Sequence, residues 1–216
     1  MAEETYKVLI INGSAHINGC TARAFSEIEK TLNQAEFTTE RINVGNKDVR
    51  GCIACNYCRT HGKCVFNDLV NETAPKLAEA DGVILGTPVY YAGPNGQLHS
   101  FMDRLIYSTS GTIDLNQKVG ATVVSSRRAG STSAFDSLNH FFQMCSMPVV
   151  SSTYWNEVHG FTAEDVEADL EGLQTMRNLA KNMAFLIKAI RAQKEKEGLP
   201  VQEHTAFTNF FTERRQ

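Results

Sequence analysis

Apolar residues fall along the chain in short blocks with two alternating spacings. Lys7 to Asn12 (KVLIIN) is a nearly continuous apolar run, the pattern of a parallel strand buried on both faces. Ala22, Phe25, Ile28 and Leu32 then recur at helical spacing and predict a helix over Thr21 to Leu32. Phe37 to Val44 alternates like a second strand. Leu69 to Ala80 predicts a helix that Asp81-Gly82 ends, and Val83 to Thr87 (VILGT) another buried strand. Gly96 to Tyr107 places Leu98, Phe101, Leu105 and Ile106 on one helical face. Val119 to Ser125 predicts a strand, Ser131 to Cys145 a helix and Pro148 to Ser151 a short fifth strand. One long helix is expected from Ala163 to Ala192. A loop-like tail follows from Gly198 to Gln216, with a patch of Phe207, Phe210 and Phe211. Strands alternating with helices imply an α/β fold, a doubly wound five-stranded parallel sheet with helices on both faces. Such sheets bind ligands beyond the carboxyl ends of their strands.

Three loops follow strands in this scheme. The first, Gly13-Ser14-Ala15-His16-Ile17-Asn18-Gly19-Cys20-Thr21, leaves a buried strand and opens a helix. Helix N-terminal amides favour a phosphate there, and Ser14, Asn18 and Thr21 add neutral donors. The same residues also serve as ordinary caps. Neither G-x-G-x-x-G nor a P-loop motif is present, so dinucleotide and P-loop sites lose ground. The second loop, Thr87-Pro88-Val89-Tyr90-Tyr91-Ala92-Gly93-Pro94-Asn95-Gly96, is stiffened by two prolines and offers two aromatic faces to a flat ring. The third, Ser125-Ser126-Arg127-Arg128-Ala129-Gly130-Ser131, has two arginines able to hold the polar edge of a ring, an anionic reduced cofactor or a phosphate. The bland alternatives are tyrosines covering the sheet end and a solvated arginine pair.

The densest chemistry lies elsewhere. Four of the six cysteines, Cys52, Cys55, Cys58 and Cys64, follow the spacing C-x2-C-x2-C-x5-C. The first three share the spacing of bacterial ferredoxin ligands, while the fourth is delayed and is not followed by proline. Four readings stay open, in this order: an iron–sulfur cluster, a relic loop of free thiols, a zinc site that His61 could join, and disulfides. Cys20, Cys145, His140, His159 and His204 read as packing or surface residues.

Length and charge narrow the classes. The chain has 216 residues, 42% hydrophobic and 21% charged, which suits one large α/β domain. A net charge of −3 without a long basic run argues against nucleic acid. No apolar stretch approaches the roughly 20 residues of a membrane helix. The N-terminus runs straight into a strand, so it does not read as a signal peptide, and a cytoplasmic location is expected.

Together the loops resemble the flavodoxin-like flavoproteins of the NADPH-dependent FMN reductase group and, with the cysteines, its iron–sulfur flavoproteins. In that group a G-S-x-R-x-N-G-x-T-like loop binds the FMN phosphate. The resemblance assigns this to Ser14, His16, Asn18, Gly19, Cys20 and Thr21, with His16 in place of arginine. The group's [ST]-P-V-Y segment, which ends in F-x-D-R, covers the flavin ring. Its counterpart is Thr87 to Tyr91 continuing to Phe101-Met102-Asp103-Arg104, with Pro88, Val89, Tyr90, Tyr91, Ala92 and Gly93 at the ring. Ser125, Arg127, Arg128 and Gly130 would border its pyrimidine edge. Cys52, Cys55, Cys58 and Cys64 would bind a [4Fe–4S] cluster.

The resemblance covers about residues 5–155, with the long helix compatible, and the chain is expected to divide into an FMN-binding domain, 1–197, with the cysteine loop 51–68 inserted after the second strand, and a tail, 198–216. It implies an FMN-dependent oxidoreductase fed by NAD(P)H or a ferredoxin-like donor, with a quinone, flavin, oxygen or peroxide as acceptor and the flavin carrying the chemistry. A homodimer or homotetramer is implied as well. The rival functions are an electron carrier or redox sensor without turnover and, more weakly, a zinc-stabilised interaction domain.

Overall fold

The computed structural model describes residues 5–206 and 208. Its elements in chain order are β1 (Tyr6–Asn12), α1 (Cys20–Gln34), β2 (Phe37–Asn43), α2 (Tyr57–His61), α3 (Leu69–Glu79), β3 (Gly82–Pro88), α4 (Gly96–Thr109), β4 (Val119–Ser126), α5 (Ser131–Met144), β5 (Glu157–His159), α6 (Ala163–Val166) and α7 (Leu170–Glu197). The strands form one parallel sheet in the order β2-β1-β3-β4-β5.

Alternation along the central strands builds two apolar layers. Val8 and Ile10 of β1, Ile84 of β3, and Ala121 and Val123 of β4 pack with Phe25 and Ile28 of α1 and with Leu179 and Met183 of α7. Leu9 and Ile11, with Val83 and Leu85, face the other way, onto Val70 and Leu77 of α3, Leu98 and Phe101 of α4, and Leu138 and Phe142 of α5. Because both faces are covered, the central strands read as continuous apolar runs. Gly86 lets α1 lie close: a Cβ there would meet Phe25 Cζ at 2.0 Å.

Two expectations are corrected. Pro148–Ser151 is not the fifth strand; only Val149 bridges to Gly120. The chain then turns away, because Ser152 Oγ donates to Thr175 O and Asn182 donates to Ser151 O, tying this stretch to α7. The fifth strand is Glu157–His159, beside Val124–Ser126. The expected long helix is two helices. Thr162 and Asp165 form a capping box on α6, and Asp169 then accepts from Gly172 N and starts α7. The short α2 inside the cysteine loop was not anticipated. It sits between left-handed Asn56 and Gly62, with the Tyr57 and His61 rings stacked 3.7 Å apart. Phe207, Phe210 and Phe211 lie outside the described residues. No helix among the described residues is long and apolar enough to cross a membrane.

In this strand order the crevice for a ligand opens at the carboxyl ends of β1 and β3. The three loops singled out in the sequence leave β1, β3 and β4 there.

Candidate functional site

The loop after β1 is held by a buried side chain that sequence reasoning passed over. Asn12 Oδ1 accepts from Ser14 N at 3.0 Å, Asn12 Nδ2 donates to Asn43 Oδ1 at 2.9 Å, and Asn12 O accepts from Val44 N and Gly45 N. Gly13 N donates to Gly86 O at 2.7 Å, which locks this loop to β3. Ser14 Oγ accepts from His16 N, and His16 O from Gly19 N, so the chain coils tightly into α1.

Gly19 caps α1 without a side-chain hydrogen bond, and the first turn carries no acidic residue. The first-turn amides are thus left for an outside acceptor, at the positive end of a 15-residue helix. His16 and Asn18 stand exposed beside them. Cys20 Sγ donates to Thr162 O at 3.1 Å, and burial pushes its thiol pKa up, so a neutral group faces the loop. Thr21 and Ser125 are turned into the protein, their hydroxyls 2.8 Å apart, tying the start of α1 to the end of β4.

The second loop is a tight turn. Tyr90 N donates to Gly93 O and Gly93 N to Tyr90 O, both at 2.9 Å. Tyr91 and Ala92 between them have φ of +50° and +61°, a left-handed pair that side chains with a Cβ adopt at a cost. The result is a Tyr91 side chain held wholly in solvent. Asn95 anchors the far side: its N–H donates to Thr87 Oγ1, and its Oδ1 accepts from Gln97 N at the start of α4.

The third loop packs against the second. Val89 N donates to Ser125 O at 3.0 Å. Gly130 has a φ of +90°, and a Cβ there would sit 3.0 Å from Ala92 Cα and 3.1 Å from Val89 Cγ1. Arg127 and Arg128 are exposed, with the Arg127 guanidinium 5.7 Å from the centre of the Phe161 ring. Ser126 Oγ is buried and has no hydrogen-bond partner. Nothing in the sequence pattern singled it out.

A second site lies in the loop after β2. Cys52, Cys55, Cys58 and Cys64 all line one small apolar pocket, with free space of only about 20 Å³, together with Ile53, Val65, Phe66, Arg104, Tyr107 and Ser108. All four are free thiols, Cys52 and Cys55 exposed and Cys58 and Cys64 half-buried. Among the described residues no three His, Cys, Asp or Glu side chains converge on a point that would hold a single metal ion.

Arg104 is the residue that sequence reasoning misplaced. The family segment put it with the flavin-covering stretch, but the register of α4 carries it to the cysteine cavity. It is 1% exposed there and donates to Cys64 Sγ. Burial works against its charge, but hydrogen bonds to Asp68 and Cys64 outweigh that and hold its pKa above the usual arginine value.

A parallel 2-1-3-4-5 sheet with an anion-accepting helix start and two facing loops at its switch point defines a flavodoxin-like protein. Comparison with known proteins agrees. Residues 6–162 match the NADPH-dependent FMN reductase family. An iron-sulfur flavoprotein of Methanocaldococcus jannaschii is 36% identical over 192 residues, covering 86% of this chain and 99% of that protein. One from Methanosarcina thermophila is 28% identical, covering 88% and 100%. Among solved structures, a WrbA-like flavodoxin from Agrobacterium tumefaciens superposes with a TM-score of 0.61 at 15% identity, covering 86% of this chain and 99% of its own. RosB with a bound 8-demethyl-8-formylriboflavin-5'-phosphate intermediate gives 0.68 at 13% identity, covering 98% and 96%. These two show the shared fold.

The chain belongs to the NADPH-dependent FMN reductase family and is of its iron–sulfur flavoprotein type. It is therefore an FMN flavoprotein and an oxidoreductase. The residues present fit FMN: uncapped first-turn amides for the phosphate, with a neutral thiol beside them.

Proposed function

We propose that this oxidoreductase takes electrons from a ferredoxin-like donor, or hydride from NAD(P)H, and delivers them through FMN to a small acceptor such as a quinone, flavin, oxygen or peroxide. A [4Fe–4S] cluster held by Cys52, Cys55, Cys58 and Cys64 serves the one-electron route. The observation that carries this reading is the gathering of four free thiols from one loop around one cavity beside a buried guanidinium. Thiolate ligands add up to a high negative charge, and Arg104 offsets part of it.

FMN supplies both one-electron and hydride chemistry when bound. Residues of this chain position and shield it. The amides of Cys20 and Thr21 would bind its phosphate, Tyr90 to Gly93 would lie along the ring, and Arg128 and Gly130 would meet its polar edge. No side-chain acid or base is required.

Exposed cations at the rim of the cysteine cavity support an acidic, ferredoxin-like donor. Arg50 stacks on Phe66 and Arg59 donates to the Tyr107 hydroxyl, while Lys63 adjoins Cys64. A homodimer or homotetramer belongs to the same proposal, supported by the exposed apolar side chains of Tyr91, Tyr154, Trp155 and Phe161. So does a reducing cytoplasm, which would keep the thiols available for iron.

The test is an absorbance spectrum with iron, sulfide and flavin assays on protein purified without oxygen. About four iron and four sulfide per chain, with FMN, are expected. FMN without iron would end the cluster route and leave NAD(P)H as the donor to assay. Full cofactors with no turnover of quinone, flavin or oxygen would make the protein a carrier instead.

A further inference from the structure

Hydrogen bonding within the cysteine cavity is lopsided. Arg104 donates to Cys64 Sγ from both Nε, at 3.3 Å, and Nη2, at 3.2 Å. Among the described residues no hydrogen bond reaches the sulfur of Cys52, Cys55 or Cys58. The backbone of Cys64 is also fixed, because its N–H donates to Asn71 Oδ1 and its carbonyl accepts from Asn71 Nδ2, both at 2.9 Å. The other side of the same guanidinium grips Asp68, with Nη1 donating to Oδ2 at 2.8 Å and Nη2 to Oδ1 at 2.9 Å. Asp68 Oδ1 in turn accepts from Val70 N at the start of α3. Arg104 is thus aimed at one sulfur by a carboxylate that is itself a helix cap.

We propose that Arg104 is the positioning residue that sets the reduction potential of the iron–sulfur centre, acting through Cys64, with Asp68 as the counterweight that moderates it. The inference rests on the cluster reading above. Reduction adds one electron to the oxidised cluster from the ferredoxin-like donor, with no bond made and no proton moved. The added negative charge spreads onto the cysteine sulfurs. Donors and cations fixed at a sulfur stabilise the reduced form and raise the potential, and hydrogen bonds to sulfur are an established determinant of it. A planar guanidinium can reach Cys64 and Asp68 together, whereas a lysine ammonium at the same place can serve only one of them well.

The two partners therefore predict shifts of opposite sign. Arg104→Lys loses the fork to Cys64. About a tenfold loss in the reduction equilibrium is expected, a shift of about 59 mV to more negative potential for a one-electron couple. Asp68→Asn keeps the oxygen that caps α3 but removes the charge that offsets Arg104, so its potential should move the other way. The experiment is a redox titration followed by electron paramagnetic resonance on protein purified and reconstituted without oxygen, with iron, sulfide and FMN measured on every sample.

Opposite shifts at full cluster content would establish the role, since a merely structural role would change content and stability without the sign reversal. Unchanged potentials in both variants at full content would overturn this inference and leave the cluster standing. Wild-type protein that holds FMN but no iron would overturn the cluster reading and this inference together. If Arg104→Lys fails to fold, Asp68→Asn decides: an unchanged or more negative potential refutes the proposal.

Discussion

Gly130 joins the second and third flavin loops, and replacing it with alanine tests whether that junction is as constrained as it looks. Its φ of +90° is one that a residue with a Cβ adopts at a cost of roughly 1–2 kcal/mol. The new methyl would also stand 3.0 Å from Ala92 Cα, a backbone atom already committed to a left-handed turn. The neighbour therefore has little freedom to yield. If the loop keeps its shape, the cost appears as lost folding stability. If the loop relaxes, stability recovers and FMN binding weakens by the same free energy, about 5- to 30-fold in Kd.

The assay is paired: urea unfolding of the apoprotein, and FMN titration followed by quenching of flavin fluorescence. The two losses should sum to about 1–2 kcal/mol. Gly111→Ala is the control, because a Cβ there meets nothing within 4 Å. The control should be neutral or gain up to about 1 kcal/mol. A Gly130→Ala protein within about 0.5 kcal/mol of wild type in both assays would refute the reasoning, as would a control that loses as much.

Glu27 ties α1 to α7 by accepting from Arg177 at 2.6 Å, and it also accepts from Arg23 of its own helix at 3.0 Å. Burial pushes its carboxyl up, but the hydrogen bonds from Arg177 and Arg23 prevail and hold it below the usual glutamate range. Its contribution is thus fully present above the ordinary pKa of about 4.3 and is lost as pH falls through the lower folded value. Glu27→Gln should cost about 1–3 kcal/mol at pH 7 and converge on wild type in urea midpoints as pH falls below the folded value; parallel curves would contradict this. Tyr91→Gly relieves a left-handed residue whose side chain touches nothing, so stability should hold or rise by up to about 1 kcal/mol. Quinone KM should nevertheless rise several-fold at unchanged FMN content if Tyr91 shapes the acceptor's entry; an unchanged KM would remove it from the site.

Much of the sheet was legible because its central strands are buried on both faces and announce themselves as apolar runs: KVLIIN and VILGT became β1 and β3 with small boundary changes. The edge was not. β5 is three residues long, with only Val158 buried, and it gave no run to read, while Pro148 to Ser151 looked like a strand and is held to α7 by side chains. The break between α6 and α7 was written in Thr162, Asp165 and Asp169, but apolar periodicity continued across it and masked the caps. At the site, loops could be found by composition, while Asn12 and Arg104 could not. Asn12 acts by pointing inward at a strand end, and Arg104 by where α4 carries it after two turns. Those facts belong to three-dimensional packing rather than to local pattern.

The cysteine loop departs from Arg50 and returns at Asp68, and one guanidinium touches both ends: Arg104 Nη1 lies 3.4 Å from Arg50 O and 2.8 Å from Asp68 Oδ2. The insertion therefore springs from a clasped base. Lengthening a segment closed at its root costs little in the entropy of joining β2 to α3, about 0.6 kcal/mol for each doubling of its length. Such a cassette can be lengthened, shortened or stripped of its thiols while the sheet beneath keeps its register. The host fold is free to exchange one electron-handling loop for another, provided that the clasp of α4 and α3 travels with it.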